Sequence, residues 1–117
     1  MMVNLRVKLH SNSLKEFAGS ISQAISENVH ELHYLDYYNL QHLMKKLMDK
    51  HHSLSTFDPF RNQKPKITMK INVNEADSYR TLMLMNSIIW ENEYLSQIHR
   101  DLIDQLDRQI SNINKIV

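Results

Sequence analysis

The sequence predicts a mostly helical α+β fold with a minor two-stranded β element, in the order β-α-α-β-α. Two stretches alternate apolar and polar side chains, as half-buried strands do, and each is followed by apolar residues at helical spacings of three and four. One linker, residues 53–66, contains both prolines. Because 117 residues suffice for one core, we expect a single domain, 1–117.

The first strand and the first helix follow from local patterns. The apolar side of the strand consists of Val3, Leu5, Val7 and Leu9. Ser13 and Glu16 then have the spacing of a capping box, which predicts the start of a helix. Helical spacing continues to about residue 52, where Lys50, His51 and His52 complement the helix dipole.

The length of this helical region predicts a break within it. One helix over residues 14–52 would be about 58 Å long. Residues 53–65 span at most about 43 Å when fully extended, so they could not return the second strand to the first. We therefore expect either two antiparallel helices, with the break near Asn28 or within residues 36–39, or strands that pair between the chains of an oligomer.

The second half of the chain repeats the scheme. Its strand has Ile67, Met69, Ile71 and Val73 on the apolar side. Asn74 is the predicted N-cap of the next helix, with Glu75 and Asp77 in its first turn. A shift of 62 positions aligns the two halves, although few residues are identical. A true duplication and the chance likeness of two strand–cap–helix units are both open, and we prefer the second.

The final helix is predicted to run from Tyr94 to Val117 and to carry an apolar stripe. The stripe consists of Leu95, Ile98, Leu102, Leu106, Ile110 and Ile113. The stripe can pack on the other helices of the chain, but a helix of about 24 residues spans about 36 Å, more than a small domain needs. Two lone strands also need a further surface. We therefore expect a homo-oligomer, most simply a dimer, with the stripe at an oligomer or partner interface.

Two aromatic side chains in the linker are candidate contacts. Phe57 and Phe60 flank Asp58 and Pro59. Either they hold the linker on the core, or they are exposed anchors of the kind that dominate protein interfaces. The seven Met residues suit an adaptable core or contact surface.

Motifs for catalysis or metal binding are weak. The chain has no Cys and one Gly, which excludes thiolate chemistry and disfavours phosphate-binding loops. Glu27, His30 and His33 have metal-ligand spacing, but the second Glu-x-x-His motif of a di-metal bundle is missing. We expect no catalytic residue, no cofactor and no metal, and interpret most of the seven His residues as solvated.

The overall charge and hydropathy indicate a cytoplasmic protein. The chain has 14 basic and 13 acidic residues, so its net charge gives no reason to expect nucleic acid, although a local basic patch is compatible with it. No run of about 18 apolar residues and no signal-peptide pattern occurs, so no membrane partner is expected.

The polar faces of the two strands suggest one specific alternative. They present Arg6, Lys8 and His10 on the first strand and Thr68, Lys70 and Asn72 on the second. With the order strand, helix, helix, the chain resembles the ribbon-helix-helix class of DNA-binding proteins. The resemblance implies an antiparallel ribbon that enters the major groove, with Arg6, Lys8 and Lys70 as DNA contacts. It covers the order of elements in each half and no sequence motif, and the Gly-containing turn of that class is absent.

These observations lead to a ranked set of functional expectations. The first is a non-enzymatic, oligomeric interaction module that binds and modulates another protein. The alternative is a ribbon-helix-helix-like DNA-binding regulator. A metal-dependent enzyme ranks third.

Overall fold

The computed structural model describes residues 4–55, 66–85 and 92–116. Its elements are β1 (Asn4–His10), a 3-10 turn (Ser11–Ser13), α1 (Leu14–Asn28), α2 (Tyr34–Ser55), β2 (Lys66–Asn72), α3 (Val73–Met85) and α4 (Glu93–Ile116). The predicted class and the order β-α-α-β-α are confirmed, and the last helical region consists of two helices, α3 and α4. Within these ranges, no helix has the length and apolar character needed to span a membrane.

The strands β1 and β2 pair antiparallel within one chain. Val7 lies opposite Met69 at the centre of this two-stranded ribbon, and Leu5 lies opposite Ile71. The inward-facing side chains are buried, except Ile67, which is partly buried. Strand pairing between chains is therefore not needed, and the first of the two predicted alternatives is the one found.

The first helical region breaks at Asn28, as predicted. The side-chain amide of Asn28 donates to the carbonyl of Ala24 (2.8 Å), and its own carbonyl accepts the N–H groups of Glu31 and Leu32 (3.0 Å each). These bonds satisfy the groups that the end of α1 would leave free. The helix α2 then begins at Tyr34 and packs against α1.

The predicted helix caps need correction. Ser13 does not form a capping box with Glu16, because the Ser13 hydroxyl bonds the Tyr94 hydroxyl (2.5 Å) instead. In the second half, Asn72 rather than Asn74 is the N-cap. The Asn72 side chain accepts the Glu75 N–H (2.7 Å), and the Glu75 carboxylate accepts the Asn72 N–H (3.0 Å). This reciprocal pair satisfies two free donors at once, so the helix starts two residues earlier.

One core lies between the inner face of the ribbon and the four helices. Its largest fully buried side chains are Phe17, Ile21, Leu40, Leu43, Leu47, Tyr79, Leu82, Leu102 and Leu106 with Leu5, Leu14 and Ile71. All four helices contribute to this core, and the ribbon closes one side of it.

The prediction that the apolar stripe of α4 is an interface needs correction for its two central residues. Leu102 and Leu106 are 0% exposed in a single chain, so they offer no surface to a second subunit. Leu95, Ile98 and Ile110 are partly buried, and the Ile113 side chain lies outside the described residues. The helix α4 packs along β1, so the stripe meets the core of its own chain. The stripe and the lone strands are thus both accommodated without a dimer, which stays a prediction.

The two halves share a common plan. The strands differ by 62 positions in number and have equal lengths. Phe17 in α1 and Tyr79 in α3 are also 62 positions apart, and their ring centroids lie 6.2 Å from each other. In α2 and α4 a shift of 59 superposes buried leucines: Leu43 corresponds to Leu102 and Leu47 to Leu106. A β-α-α unit therefore occurs twice around one ribbon.

Side chains of α4 cover the free edge of β1. The Gln109 amide accepts the N–H of Arg6 (3.0 Å) and donates to its carbonyl (2.6 Å). The Gln105 amide makes the same two bonds with Lys8, at 2.7 and 2.9 Å. An uncovered edge strand is a template for pairing with another chain. These two amides take the place that a third strand would have.

Replacing both Gln105 and Gln109 by Ala should uncover this edge. Four hydrogen bonds at partly exposed positions contribute on the order of 2 kcal/mol in total, so the free energy of unfolding should fall by about that amount in urea titrations. Hydrogen exchange at the Arg6 and Lys8 amides should accelerate at least about tenfold. The control is Gln97→Ala, an exposed glutamine of the same helix. Unchanged exchange at Arg6 and Lys8 would contradict the assignment.

Candidate functional site

The outer face of the ribbon is the most distinctive surface of the described residues. Its exposed side chains are Asn4, Arg6, Lys8 and His10 from β1 and Lys66, Thr68 and Lys70 from β2. Neither strand contains Asp or Glu. Four of the chain's 14 Lys and Arg residues are on this face, so the net charge of +1 conceals a local excess of positive charge. The structure thus places Arg6, Lys8 and Lys70 on one face and adds Lys66.

The outward-facing pairs across the ribbon include like charges. Arg6 lies directly opposite Lys70, so two positive charges face each other. Residues in such positions have Cβ atoms about 4.5–5.5 Å apart, and like charges there destabilise a sheet. An acidic residue at any of these positions would favour folding. The arrangement weakens the ribbon, and an anionic ligand would relieve the repulsion.

The backbone beneath this face is held from three sides. The inward side chains of Leu5, Val7 and Ile71 are buried. Gln105 and Gln109 bind the β1 edge, and on the β2 edge the Lys46 ammonium group donates to the Lys70 carbonyl at 3.4 Å. The backbone of this face therefore needs little ordering when a ligand binds.

Lys46 itself is neutralised inside the fold. Its ammonium group lies 2.5 Å from the Glu75 carboxylate, which is 1% exposed. The carboxylate oxygen Oε1 also accepts the Asn72 N–H (3.0 Å), whereas Oε2 has no hydrogen-bond partner among the residues that the structure describes. A buried carboxylate requires such a partner charge. Lys46 therefore supports the β2 edge and adds no free charge to the outer face.

A cavity of about 400 Å³ lies at one end of the ribbon. Lys8, His10 and Lys66 line one part of it, and Tyr94 and Asp101 line another. Its volume is in the range of small-molecule sites. The charged groups lining it have both signs, so the cavity does not select an anion as clearly as the open ribbon face does.

A buried polar network connects three helices below the ribbon. The Ser20 hydroxyl donates to the Phe17 carbonyl (2.7 Å) and therefore accepts from His99 Nε2–H (2.9 Å). His99 Nδ1 then accepts the Tyr79 hydroxyl proton (2.5 Å). The Phe17 ring stacks on the imidazole, with centroids 4.7 Å apart. Every polar atom of the three side chains has a partner in this assignment.

Burial determines the charge state of this network. His99 and Tyr79 are both 0% exposed. Burial lowers the pKa of His99 from 6.5 to about 4 and raises the pKa of Tyr79 well above its ordinary value of 10.0. Both groups are neutral at pH 7. They hold α1, α3 and α4 together, and His99 is the exception to the expectation that most of the His residues are solvated.

The three residues with metal-ligand spacing, Glu27, His30 and His33, are not brought together on one helix. The helix α1 ends at Asn28, so Glu27 is in the helix while His30 and His33 follow in the turn, and all three are exposed. No cluster of three potential metal ligands occurs among residues 4–55, 66–85 and 92–116. Phe57 and Phe60 lie outside the described residues, so their predicted contacts stay predictions.

The sequence patterns did not identify the roles of three residues, Lys66, His99 and Gln105. Lys66 continues the alternation of Thr68 and Lys70, so the strand pattern could have included it. His99 lies three residues before Leu102, a helical spacing that would have placed it on the buried stripe. Gln105 carries no local signal, because its partner Lys8 is 97 positions away.

Acidification should destabilise the protein because of His99. Unfolded His99 binds a proton below about pH 6.5, whereas the folded imidazole stays neutral down to about pH 4. The unfolded state binds more protons in this window, so the free energy of unfolding falls as the pH falls. The loss from this group is about 3 kcal/mol across the window. It is measured by urea denaturation at several pH values between 7 and 4.5.

A pair of variants isolates this contribution. His99→Gln keeps a hydrogen-bonding side chain but does not titrate, so its stability should depend less on pH than that of the wild type. His30→Gln removes an exposed imidazole and should keep the wild-type dependence. Equal pH dependence in His99→Gln and the wild type would refute the assignment.

The ribbon face is the candidate functional surface because it combines exposure, one sign of charge and a fixed backbone. The buried His99 network and the turn histidines do not offer comparable access or geometry. Comparisons with protein families, with curated proteins and with solved structures found no match for this chain.

Proposed function

We propose that the protein binds double-stranded DNA by placing the outer face of the β1–β2 ribbon in the major groove. The observation that carries the proposal is the set of exposed basic residues Arg6, Lys8, Lys66 and Lys70 on one face without an acidic residue. Such a face attracts a polyanion, and the like-charge pair Arg6–Lys70 becomes favourable when phosphates lie nearby.

The dimensions of the ribbon support this ligand. Two paired strands lie about 4.8 Å apart, and seven residues extend over about 20 Å. The major groove is about 12 Å wide and admits a two-stranded ribbon. The face is narrow, and its length is slightly more than half the height of one helical turn of DNA. Other polyanions would fit a face of this shape less well.

The side chains on this face differ in what they can recognise. Arg6 can donate two hydrogen bonds to a guanine edge, Asn4 can pair with adenine, and Thr68 can contact a thymine methyl group. The lysines suit phosphates, which position the protein. Asn72 is excluded as a base contact, because its side chain caps α3.

The two halves of the ribbon would read different bases. A shift of 62 positions relates the strands, and it places Lys70 where β1 has Lys8, but Thr68 where β1 has Arg6. Lys8 and Lys70 are thus equivalent, whereas Arg6 and Thr68 are not. We infer that the preferred DNA site is not a palindrome.

The first expectation from the sequence, modulation of another protein, stays a prediction. A partner strand could not be added at the β1 edge, because Gln105 and Gln109 occupy it. One chain provides both strands, so DNA binding does not require the expected dimer. Cytoplasmic location stays part of the proposal.

The proposal is tested with a labelled 25-base-pair duplex of random sequence. Fluorescence anisotropy at 50 and 200 mM NaCl should give a Kd that rises about 100-fold, as expected for about four neutralised phosphates. The triple variant Arg6→Gln, Lys8→Gln, Lys70→Gln should lose binding at 50 mM NaCl and keep its helical circular dichroism, because these side chains point away from the core. Absence of wild-type binding at 50 mM NaCl would rule the proposal out.

A matched pair of variants separates the ribbon from charge in general. Arg6→Gln with Lys70→Gln should weaken binding at least about tenfold and raise the free energy of unfolding by about 0.5 kcal/mol, since it removes a repulsive pair. Lys45→Gln with Lys50→Gln changes the net charge equally at exposed positions of α2 and should alter Kd less than about threefold. Equal losses in both variants would show that DNA contacts are not confined to the ribbon.

A further inference from the structure

A second exposed surface lies where α1 meets α2. We call it the elbow and define it as Val29, Tyr34, Leu35, Tyr37 and Tyr38. These side chains are between 41% and 73% exposed. Five of the seven large apolar or aromatic residues that are exposed in the described part of the chain are located here. Scattered exposed apolar residues are ordinary, whereas a contiguous group marks an interaction site.

The elbow contains a place for an inserted side chain. An open groove of about 360 Å³ runs between α1 and α2, with Ile25, Val29 and Tyr37 as its apolar lining. Ser22, Ser26 and Gln41 provide polar groups along it. Interfaces are commonly anchored by a side chain in such a groove, with aromatic residues around it.

Contacts within the chain hold the start of α2 in place without a bound partner. The Ser78 hydroxyl of α3 donates to the Asp36 carboxylate (2.8 Å) and accepts from the Asn39 amide (3.0 Å). The Tyr34 ring lies against His33 at a centroid distance of 4.7 Å, and Tyr38 against His42 at 4.8 Å. Binding at this surface would therefore cost little conformational entropy.

The charge around the elbow is negative. Residues 16–44 contain Glu16, Glu27, Glu31 and Asp36 and no Lys or Arg. Glu27 and Glu31 are exposed next to Val29. A complementary partner carries positive charge beside its apolar side chains. A symmetric contact with a second copy would instead bring these carboxylates together, which disfavours that occupant.

We propose that the elbow binds a partner protein through a segment in which Lys or Arg residues flank apolar side chains. The helix α1 has 15 residues, so the elbow lies about 20 Å from the end of β1. The ribbon face and the elbow are thus separate surfaces of opposite charge. The chain can hold DNA on one and a protein segment on the other at the same time.

The experiment uses three labelled helical peptides of 18 residues and the full chain. One peptide combines Leu on one face with Lys on the other, the second replaces Lys by Glu, and the third replaces Leu by Ser. We expect fluorescence anisotropy to show binding of the Leu/Lys peptide and at least tenfold weaker binding of the other two. No binding of the Leu/Lys peptide, or equal binding of the Ser/Lys peptide, would overturn the proposal.

Variants of the chain locate the contact. Tyr34→Ser with Tyr38→Ser should weaken Leu/Lys binding at least about tenfold, and Glu27→Gln with Glu31→Gln at least about threefold. Leu35→Ser should weaken it, whereas Leu84→Ser, the same change at an exposed leucine of α3, should not. Unchanged affinity in the elbow variants would refute the assignment.

The oligomeric state and DNA binding of the same variants complete the test. A wild-type dimer in light scattering that becomes a monomer in Tyr34→Ser with Tyr38→Ser would overturn the proposal, because a second copy would then cover the elbow. Binding to the 25-base-pair duplex should be unchanged in these variants, as the ribbon is intact. A parallel loss of DNA binding would show that the two surfaces are not separate, contrary to the proposal.

Discussion

A two-stranded ribbon is not stable in water by itself, and the rest of this fold can be understood from that constraint. The ribbon has one face and two edges that need cover. Its inner face packs on all four helices through one core, Gln105 and Gln109 of α4 bind the β1 edge, and Lys46 of α2 contacts the β2 edge. The outer face is open to solvent.

Polar groups in the core and on the outer face of the ribbon differ in how they are paired. Inside, the Ser20–His99–Tyr79 network pairs each of its polar atoms, and Glu75 is neutralised by Lys46. Outside, the ribbon places Arg6 opposite Lys70, which opposes folding. Repulsion that is retained on one exposed face is a local conflict between stability and another requirement. Such conflicts concentrate at functional surfaces.

Local periodicity carried most of the information that the sequence offered about the fold. The strands alternate every second residue because one face is buried, and Asn28 ends α1 because its amide satisfies the preceding turn. The same reasoning could not choose between Asn72 and Asn74 as a cap, since that choice depends on how the strand runs into the helix. It also could not assign the α4 stripe, because apolar spacing predicts burial but not whether the same chain or another buries it.

The candidate surface was predictable to a smaller extent. Arg6, Lys8 and Lys70 follow from strand alternation, but the opposition of Arg6 and Lys70 requires the register, which no local pattern contains. The amide contacts of Gln105 and Gln109 join positions about one hundred residues apart. The elbow is visible as a cluster of Tyr residues in the sequence, yet only the break at Asn28 and the position of α2 show that these rings face solvent.

Because one chain contains both strands, the two strands of this protein can evolve independently. In a ribbon formed by two identical subunits, each mutation alters two symmetric positions together, and an unfavourable effect is doubled. Here a substitution at Arg6 leaves Thr68 as it was, and the two strands can diverge separately. The ribbon also does not come apart on dilution, because both of its strands belong to one chain.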